Sequence, residues 1–349
     1  MRHALLAALA LLVSAASFAG ARREPVIPAL DRTALVPLAR GRAVIPDDLL
    51  AAGKRWGIEA QKAALAARPQ PSGSFRFAVI GDVEPGRFPW QRVFTPPLDS
   101  FPRQLRAASG LGAQFVLQLG DLVSKGDAKN YREIFTTLSA DSSVPFFPVI
   151  GNHDRSRPNG DADKRFYSGI MGATDFYFDY GGWRFVGLDT ADRTLTGAQL
   201  EWLKSVLPTD GRSVIFTHVP PRFLKGKWYS PPAPKDNREE EDERKRGYVR
   251  DLLTAYFDDN SAEFGDLLAE RKVARVYAGH IHAFGVAKVG PTLFVLSGGG
   301  GSPLYPLPPG EPKRKMAHFL EVIATGGALS ETVHELDGPS YPLPLPPGA

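Results

Sequence analysis

From residue 75 onward, short apolar runs alternate along the chain with amphipathic stretches of helical spacing. Five of the apolar runs are rich in β-branched or aromatic residues, and they read FRFAVIGD, FVLQLGD, PFFPVIGNHD, SVIFTHVP and VARVYAGHIH. Runs of this length and composition are typical of strands that are buried on both faces. Helical patterns lie between them, over residues 100–110 and in segments that begin at Asp127, Thr196 and Ser261. This alternation predicts an α/β fold.

Three other segments predict antiparallel hairpins. In DFYFDYGGWRFVGLDT, two β-type runs flank Gly181 and Gly182, and a Gly-Gly pair is typical of a two-residue hairpin turn. The segments FGVAKVGPTLFVLSGGGG and HFLEVIATGGALSETVHEL have the same form near the end of the chain. The later part of the chain is therefore expected to add antiparallel strands to the α/β body.

The region before this body divides into two parts. Residues 1–21 combine a basic start, an apolar stretch and the small residues Ala-Gly-Ala, which is typical of a cleaved export signal peptide. An uncleaved membrane anchor is the alternative, although the apolar run is short for a span. Residues 22–72 predict an N-terminal extension with one helix that ends before Pro69. We expect a secreted or periplasmic protein that meets the membrane only transiently, through its signal peptide.

The main domain is expected to span residues 73–337, followed by a Pro-rich tail over residues 338–349 that should be extended and poorly ordered. Within the domain, residues 222–250 are Pro-rich and then dense in charges of both signs. Such a segment is typical of a solvated loop and a surface helix. A lid over a functional site is the alternative, because long loops are often functional.

Composition narrows the chemistry that the chain can perform. Among its 349 residues there is no cysteine, which excludes disulfides and thiolate metal ligands. Any metal ion must therefore be held by nitrogen and oxygen atoms. The net charge is only +4 and basic residues are interleaved with acidic ones, so the chain carries no specific signal for nucleic-acid binding.

Each of the five predicted strands ends in a residue that can bind a hard or borderline metal ion. These residues are Asp82, Asp121, Asn152 with His153, His218, and His280 with His282. In open α/β sheets, ligands bind outside the carboxyl ends of the strands, so the five ends are expected to converge. Singly, each motif could be a polar turn or a hydrogen-bonded core residue. Together they offer enough ligands for two divalent ions, at about four per ion.

The order of these strand ends resembles that of the calcineurin-like metallophosphoesterases, whose motifs are GDxH, GDxx, GNH[DE], a strand that ends in His, and GHxH. In this chain they stand as GDVE at 81–84, GDLV at 120–123, GNHD at 151–154, THVP at 217–220 and GHIH at 279–282. The resemblance covers about residues 75–297. It implies a four-layer α/β/β/α sandwich and the hydrolysis of phosphomonoesters or phosphodiesters.

The resemblance also implies a role for each residue. Asp82 and His282 would bind one metal ion, Asn152, His218 and His280 a second, and Asp121 both. The two divalent ions, expected to be Mn, Fe, Zn or Mg, would hold the oxygens of a small phosphate ester while a bridging hydroxide attacks. His153 would be the general acid that protonates the leaving oxygen. Asp154 is expected to orient His153 or a metal-bound histidine, and a simple turn residue is the alternative.

Glu84 departs from the family pattern, because a metal-binding histidine is usual at this position. Glu84 could coordinate a metal ion, bind it through water, or mark a site that holds a single ion. A coordinated carboxylate would reduce the positive charge of the site and favour Mn, Mg or iron over Zn. A catalytically weakened protein that binds metal or phosphate on the same fold is therefore the alternative function.

Two other comparisons with the family concern residues near the expected site. Ser124 stands where purple acid phosphatases carry a metal-binding tyrosine, so a purple ferric site is not expected. Arg87, Arg155 and Arg222 lie near predicted strand ends and could bind a phosphate through two parallel hydrogen bonds. A solvated surface arginine is the alternative for each of them.

Overall fold

A computed structural model of the protein describes residues 44–84, 99–156, 163–231, 255–304, 312 and 314–348. Its helices are α1 (Asp47–Trp56), α2 (Ile58–Ala66), α3 (Ser100–Gly110), α4 (Ala128–Asp141), α5 (Arg165–Met171), α6 (Gly197–Val206) and α7 (Ser261–Glu270). Its strands are β1 (Ser74–Ile80), β2 (Val116–Gln118), β3 (Phe146–Pro148), β4 (Phe176–Tyr180), β5 (Trp183–Leu188), β6 (Ser213–Thr217), β7 (Arg275–Ala278), β8 (Phe284–Val289), β9 (Thr292–Ser297), β10 (His318–Thr325), β11 (Ala328–Glu335) and β12 (Ser340–Pro342). The five predicted strands and the three predicted hairpins are all among these elements.

The strands form two six-stranded sheets. The order in the first sheet is β12-β11-β10-β1-β2-β3, with β1, β2 and β3 parallel and the other strands antiparallel. The order in the second sheet is β4-β5-β6-β7-β9-β8, in which β4 and β8 are antiparallel edge strands. The parallel strands therefore lie at one side of the first sheet and at the centre of the second.

Apolar side chains hold the layers together. Between the sheets, the rings of Phe77 and Phe115 stack at 5.2 Å, and Phe185 from the second sheet meets Phe115 edge-on at 5.0 Å. The outer face of the first sheet packs against α1, α3, α4 and α5. The outer face of the second sheet packs against α6 and α7. The four-layer α/β/β/α sandwich implied by the resemblance is confirmed.

Side-chain caps fix where two of the predicted helices begin. The Asp127 carboxylate accepts a hydrogen bond from the Asn130 N–H at 3.1 Å, at the start of α4. Thr196 and Gln199 form a reciprocal capping box at the start of α6. These caps satisfy amide groups that the first turn of a helix leaves without a partner, so the beginnings of α4 and α6 match the predictions.

The N-terminal extension differs from its prediction. It contains two helices, α1 and α2, where one was expected. The break is at Gly57, whose backbone is extended, with φ −65° and ψ 153°. A β-carbon at Gly57 would lie 2.6 Å from the carbonyl oxygen of Gly53, so the bend requires glycine.

The Pro-rich tail also differs from its prediction, because part of it is a strand. β12 pairs with β11 in antiparallel fashion, and Leu343 just beyond it is buried. Proline is tolerated in an edge strand because the missing N–H faces away from the ladder. The expectation of a poorly ordered tail is therefore wrong for residues 340–343.

Two predicted segments lie outside the described residues. The first is the signal peptide, residues 1–21, and the second is residues 232–254, which hold most of the segment considered as a lid. None of the helices among the described residues combines the length and the apolar character that a membrane span requires.

A buried histidine outside the predicted site joins two parts of the core. The ring of His318 donates from Nδ1 to the Met316 carbonyl at 2.9 Å and lies 3.0 Å from the Ser297 hydroxyl through Nε2. Burial lowers the pKa of His318 to about 4, below its ordinary value of 6.5, although the hydrogen bond to Met316 opposes the shift. The folded protein therefore keeps this ring neutral where an unfolded chain would protonate it.

We expect His318 to make the metal-free protein less stable as the pH falls from about 6.5 to about 4, because only the unfolded chain binds the proton in this window. Between pH 7 and pH 5 the loss should be about 2 kcal/mol larger for the parent than for His318→Gln. Urea denaturation of chelator-treated protein at both pH values measures it. His334→Gln, at a partly buried position of β11, is the control for the same chemical change and should not reproduce the effect of His318→Gln. Equal losses in the parent and in His318→Gln would contradict the assignment.

Candidate metal centre

The predicted strand ends meet at one place, but they come from two sheets. Asp82, Asp121 and Asn152 follow β1, β2 and β3 of the first sheet, whereas His218, His280 and His282 follow β6 and β7 of the second. The sequence pattern predicts that these ends converge but does not divide them between the two sheets. The two sets meet because the sheets pack face to face with these carboxyl edges on the same side.

One group of ligand atoms consists of Asp82, Asp121 and His282, whose side-chain donor atoms all lie within 4.8 Å of one another. Nε2 of His282 is 3.5 Å from Oδ1 of Asp82. Nδ1 of His282 donates to the Pro303 carbonyl at 2.6 Å. A metal-binding histidine usually makes such a bond, because it fixes the tautomer in which the other nitrogen can bind the ion.

A second group consists of Asp121, His218 and His280, again with donor atoms within 4.8 Å of one another. Nδ1 of His218 donates to the Leu119 carbonyl at 2.8 Å, which leaves Nε2 as the ring nitrogen that can bind a metal ion. That Nε2 lies 3.3 Å from Asp121 Oδ1, 2.9 Å from Asn152 Oδ1 and 3.1 Å from His280 Nδ1. Asn152 therefore joins this group through its side-chain oxygen.

Asp121 belongs to both groups, and the backbone holds it in an unusual conformation. Its φ is 52°, and the φ of His280 is 68°. Residues other than glycine seldom adopt such values, and those that do cluster at functional sites. The His153 N–H donates to Asp121 Oδ1 at 2.8 Å and so fixes the orientation of the carboxylate.

Two motif glycines allow the backbone to approach these carboxylates. A β-carbon at Gly151 would lie 2.1 Å from the Asp121 nitrogen, and one at Gly279 would lie 2.5 Å from Asp82 Oδ2. Both distances are far below van der Waals contact. The glycines of the GNHD and GHIH motifs are therefore required by packing around the site.

The site concentrates negative charge in the interior. Asp82, Glu84 and Asp121 are at most 1% exposed. Burial opposes ionisation of Asp121, but the positive charges of His218 and His153 outweigh it and hold the pKa of the Asp121 carboxyl well below its usual range. Buried charges of one sign are costly unless opposite charge is close.

The histidines respond to these carboxylates. Burial lowers the pKa of His218 and His282, but Asp121 beside His218 and Asp82 beside His282 outweigh it and raise both values to about 9. Without a metal ion, protons on these rings would balance the buried carboxylates. Carboxylate, imidazole and amide oxygen are the donors that divalent cations of the Mn, Fe, Zn and Mg kind accept, so the residues fit such ions.

Glu84 lies beside this site. Its side chain is fully buried, and its backbone N–H donates to the Asp121 carbonyl at 3.0 Å. Its charge contributes to the raised pKa of His282, after that of Asp82. Neither of the two groups of ligand atoms found among the described residues includes Glu84.

His153 is half-buried and belongs to neither group of ligand atoms. Its ring Nδ1 is 3.2 Å from the Ser124 carbonyl oxygen, which can accept the proton of this nitrogen in a hydrogen bond. Its backbone is tied to Asp121. The position is compatible with the expected role outside the metal ligands, which stays a prediction.

Asp154 differs from its expected role. Its Oδ1 accepts from the Val123 N–H at 3.0 Å and its Oδ2 from the Gly151 N–H at 2.7 Å. Among the described residues these backbone groups, and not a histidine, are its hydrogen-bond donors. Burial and then the charge of Asp121 raise the pKa of Asp154 to about 8, against the effect of the two backbone donors. Asp154 therefore ties the loop after β2 to the loop after β3, which corresponds to the turn-residue alternative.

We expect Asp154→Asn to destabilise the metal-free protein by about 1–3 kcal/mol, because the amide NH₂ must face one of the two backbone N–H groups. Metal affinity should fall about 10–100-fold as the two loops loosen. Urea denaturation and metal titration measure the two effects. Asp127→Asn, which changes a carboxylate that caps α4, is the control and should leave metal affinity unchanged. Lost turnover with parent-like stability and metal affinity would instead favour a catalytic role.

The arginines considered for phosphate binding have other partners or lie elsewhere. Arg155 donates from Nε to the Asn152 carbonyl at 3.1 Å and from Nη1 to Asp192 Oδ1 at 2.9 Å. Nη1 of Arg222 is 3.9 Å from Asp258 Oδ2. Arg87 lies outside the described residues. Arg155 therefore stabilises the loop that carries Asn152.

The sequence analysis missed the end of β5, which reaches the same edge of the sheet. β5 is parallel to β6, and Leu188 pairs with Thr217, the residue before His218. The segment was interpreted only as the second strand of a hairpin. Its apolar run, followed by Asp189 and Thr190, has the same form as the five strand ends that were recognised.

Comparison with known proteins identifies what the chain is similar to. A sequence profile of calcineurin-like phosphoesterases matches residues 75–284. Comparison with curated protein sequences gave no match. Among solved structures, the purple acid phosphatase PPD1 from yellow lupin (Lupinus luteus) seeds aligns with a TM-score of 0.53 and 18% identity, over 79% of this chain and 54% of that one. GAP50, the anchor in the inner membrane complex of Plasmodium, aligns with a TM-score of 0.51 and 15% identity, over 78% and 89%.

At 18% and 15% identity, these two structural similarities show a shared fold and nothing further. The chain spans about half the length of the lupin phosphatase that it matches.

Proposed function

Since the chain belongs to the calcineurin-like phosphoesterase family, we propose that it is a metal-dependent hydrolase of small phosphomonoesters or phosphodiesters, with a centre of two divalent cations. The observation that supports two ions is that Asp121 belongs to two separate groups of ligand atoms. A carboxylate shared in this way can bridge a pair of ions.

We assign Asp82, Asp121 and His282 to one cation, and Asp121, Asn152, His218 and His280 to the other. The hydrogen bonds of His218 to Leu119 and of His282 to Pro303 support this assignment, because they turn the other ring nitrogen, Nε2, toward the carboxylates. When bound, divalent cations would polarise the phosphoryl group and lower the pKa of the attacking water.

In this proposal His153 supplies the proton that the leaving oxygen requires. Nδ1 of His153 lies 3.2 Å from the Ser124 carbonyl oxygen, which orients the ring and leaves Nε2 as the nitrogen that can serve the leaving oxygen. The bond from the His153 N–H to Asp121 fixes the ring close to the metal ligands. A proton donor positioned in this way acts as a general acid.

Glu84 is proposed as a further ligand of the cation that Asp82 and His282 hold. Its full burial and its electrostatic interaction with His282 support this, because they place a carboxylate beside a residue assigned to that cation. An oxygen donor in place of the family's histidine favours Mn, Mg or iron over Zn.

We expect Glu84→His to shift the metal preference toward Zn, and Glu84→Gln to lower the manganese content relative to the parent, because both remove a hard, charged oxygen donor. Elemental analysis of protein loaded from equal mixtures of Mn²⁺ and Zn²⁺ measures the preference. Unchanged stoichiometry and preference in both variants would remove Glu84 from the ligand set.

We also propose export to the periplasm or the medium, on the basis of the signal-like residues 1–21. N-terminal sequencing of the protein from the exported fraction should give a mature chain that begins near residue 22. An intact N-terminus in the cytoplasmic fraction would contradict export.

A panel of esters and metals tests the proposed reaction. Purified protein is loaded with Mn²⁺, Mg²⁺, Zn²⁺ or Fe²⁺ and incubated with p-nitrophenyl phosphate and with bis(p-nitrophenyl) phosphate. Turnover with at least one metal, lost on chelation, is the expected result. Folded protein that hydrolyses neither ester with any metal would favour the alternative, a catalytically weakened binding protein.

A further inference from the structure

The turn after β5 lies beside the metal centre and has no part in the reaction proposed above. Because β5 runs parallel to β6, residues 189–193 leave the sheet at the edge from which His218 also leaves. The turn closes with a hydrogen bond from the Arg193 N–H to the Thr190 carbonyl at 2.8 Å. Arg193 is thus placed by topology at the carboxyl edge where the six metal-ligand candidates meet.

Contacts on one side fix this turn to the strand that carries His218. The Thr190 hydroxyl oxygen is 2.8 Å from the Thr217 hydroxyl and accepts the Val219 N–H at 2.8 Å. Thr217 and Val219 flank His218 in the sequence. The beginning of the turn therefore has a defined position relative to His218.

Contacts on the other side fix the turn to the loop that carries Asn152. Oδ1 of Asp192 accepts from Arg155 at 2.9 Å, and Oδ2 is 2.6 Å from Lys164 Nζ. Arg155 in turn donates to the Asn152 carbonyl at 3.1 Å. Arg193, the next residue after Asp192, is therefore held between the two loops that supply ligands to one metal ion.

Arg193 itself has a strained backbone, with φ of 60°. A residue with a β-carbon is disfavoured in this conformation, so replacing Arg193 by glycine removes strain and does not add it. The side chain is half-buried. The charge of Arg193 acts on the His280 ring, so the guanidinium lies within electrostatic range of the metal-ligand candidates.

The net charge of the metal centre explains why a guanidinium beside it would help to bind an anionic ester. Two divalent cations would bring about +4 charges, and the buried carboxylates of Asp82, Glu84 and Asp121 would remove three of them. The metal centre alone is then a weak attractor of an anionic ester. A guanidinium offers two parallel N–H donors that match two oxygens of a phosphate.

We infer that Arg193 binds the phosphoryl group of the substrate, by donating hydrogen bonds to non-bridging phosphate oxygens while the metal centre holds the reacting side. This inference rests on the proposed function and adds a specific residue for recognition of the phosphate-ester anion.

Binding of inorganic phosphate to the manganese-loaded protein, measured by titration calorimetry, tests the inference. Arg193→Gly should weaken binding about 10–100-fold, and Arg193→Lys by less, because a charge-assisted hydrogen-bonded pair is lost in the first and partly kept in the second. The manganese content should stay at the parent's value, and the melting temperature should be no more than about 2 °C lower, because glycine removes the strain at this position.

Lys272→Gly is the matched control. Lys272 is also a cationic residue with a left-handed backbone, with φ of 53°, but it precedes β7 and so lies at the opposite end of that strand from His280. This variant should bind phosphate as the parent does. Parent-like phosphate affinity in Arg193→Gly, with the parent itself binding phosphate and hydrolysing esters, would overturn the inference alone. A parent that neither binds phosphate nor hydrolyses any ester would overturn the proposed function and the inference with it.

Discussion

Asp121→Asn is expected to lose bound metal and to slow ester hydrolysis about a thousandfold, which corresponds to about 4 kcal/mol of transition-state stabilisation. The reason is that both groups of ligand atoms contain the Asp121 carboxylate. The substitution removes one negative charge that both cations would share. It should therefore weaken two binding events at once.

Asparagine is the informative substitution because it changes charge with little effect on the backbone. Asp121 has a φ of 52°, and asparagine tolerates this conformation better than most residues. Its side-chain oxygen can still accept the His153 N–H, which now bonds to Asp121 Oδ1. The variant is thus expected to fold.

Elemental analysis and kinetics, both after loading with a small excess of manganese over the two proposed sites, measure the effect of Asp121→Asn. Asp127→Asn serves as the control, because it makes the same chemical change at the start of α4 and should keep the parent's metal content and turnover. A folded Asp121→Asn protein with the parent's two ions would be incompatible with a bridging role.

His153→Ala should reduce turnover about a hundredfold or more without changing the metal content, because a positioned general acid typically contributes 10²–10⁴-fold. His153 belongs to neither group of ligand atoms, so the metal ions should remain. The loss should grow as the leaving group becomes more basic. An alkyl phosphate needs protonation of its leaving oxygen, whereas p-nitrophenolate leaves readily without it.

The dependence on the leaving group separates proton transfer from simple damage to the site. Rates for a series of phosphate esters with leaving groups of increasing pKa, in the parent and in His153→Ala, provide the comparison. His334→Ala, in β11 of the first sheet, should leave the series unchanged. A loss in His153→Ala that is uniform across the series would assign this residue to phosphate binding and not to proton donation.

Much of the fold and of the site could be predicted because its signals are local. A buried parallel strand requires a short, continuous apolar run, and the residue that ends it is visible in the sequence, as with Asp82 and His218. The left-handed and glycine-rich turns that follow the strands also have local signatures, as at Gly151.

Features that depend on contacts distant in sequence could not be predicted in this way. The division of the strand ends between two sheets follows from how the sheets pack, which no single segment encodes. Asp154 looks like a neighbour of His153, but its carboxylate bonds to Val123, which is 31 residues away. The position of Arg193 depends on the contact between Asp192 and Arg155, which are 37 residues apart.

Anomalous X-ray diffraction from crystals of the manganese-loaded protein tests the central claim most directly, because it locates each bound ion. We expect two peaks, one between Asp82, Asp121 and His282 and the other between Asp121, Asn152, His218 and His280. A single peak, or peaks that lie away from Asp121, would contradict a two-metal centre formed by these residues.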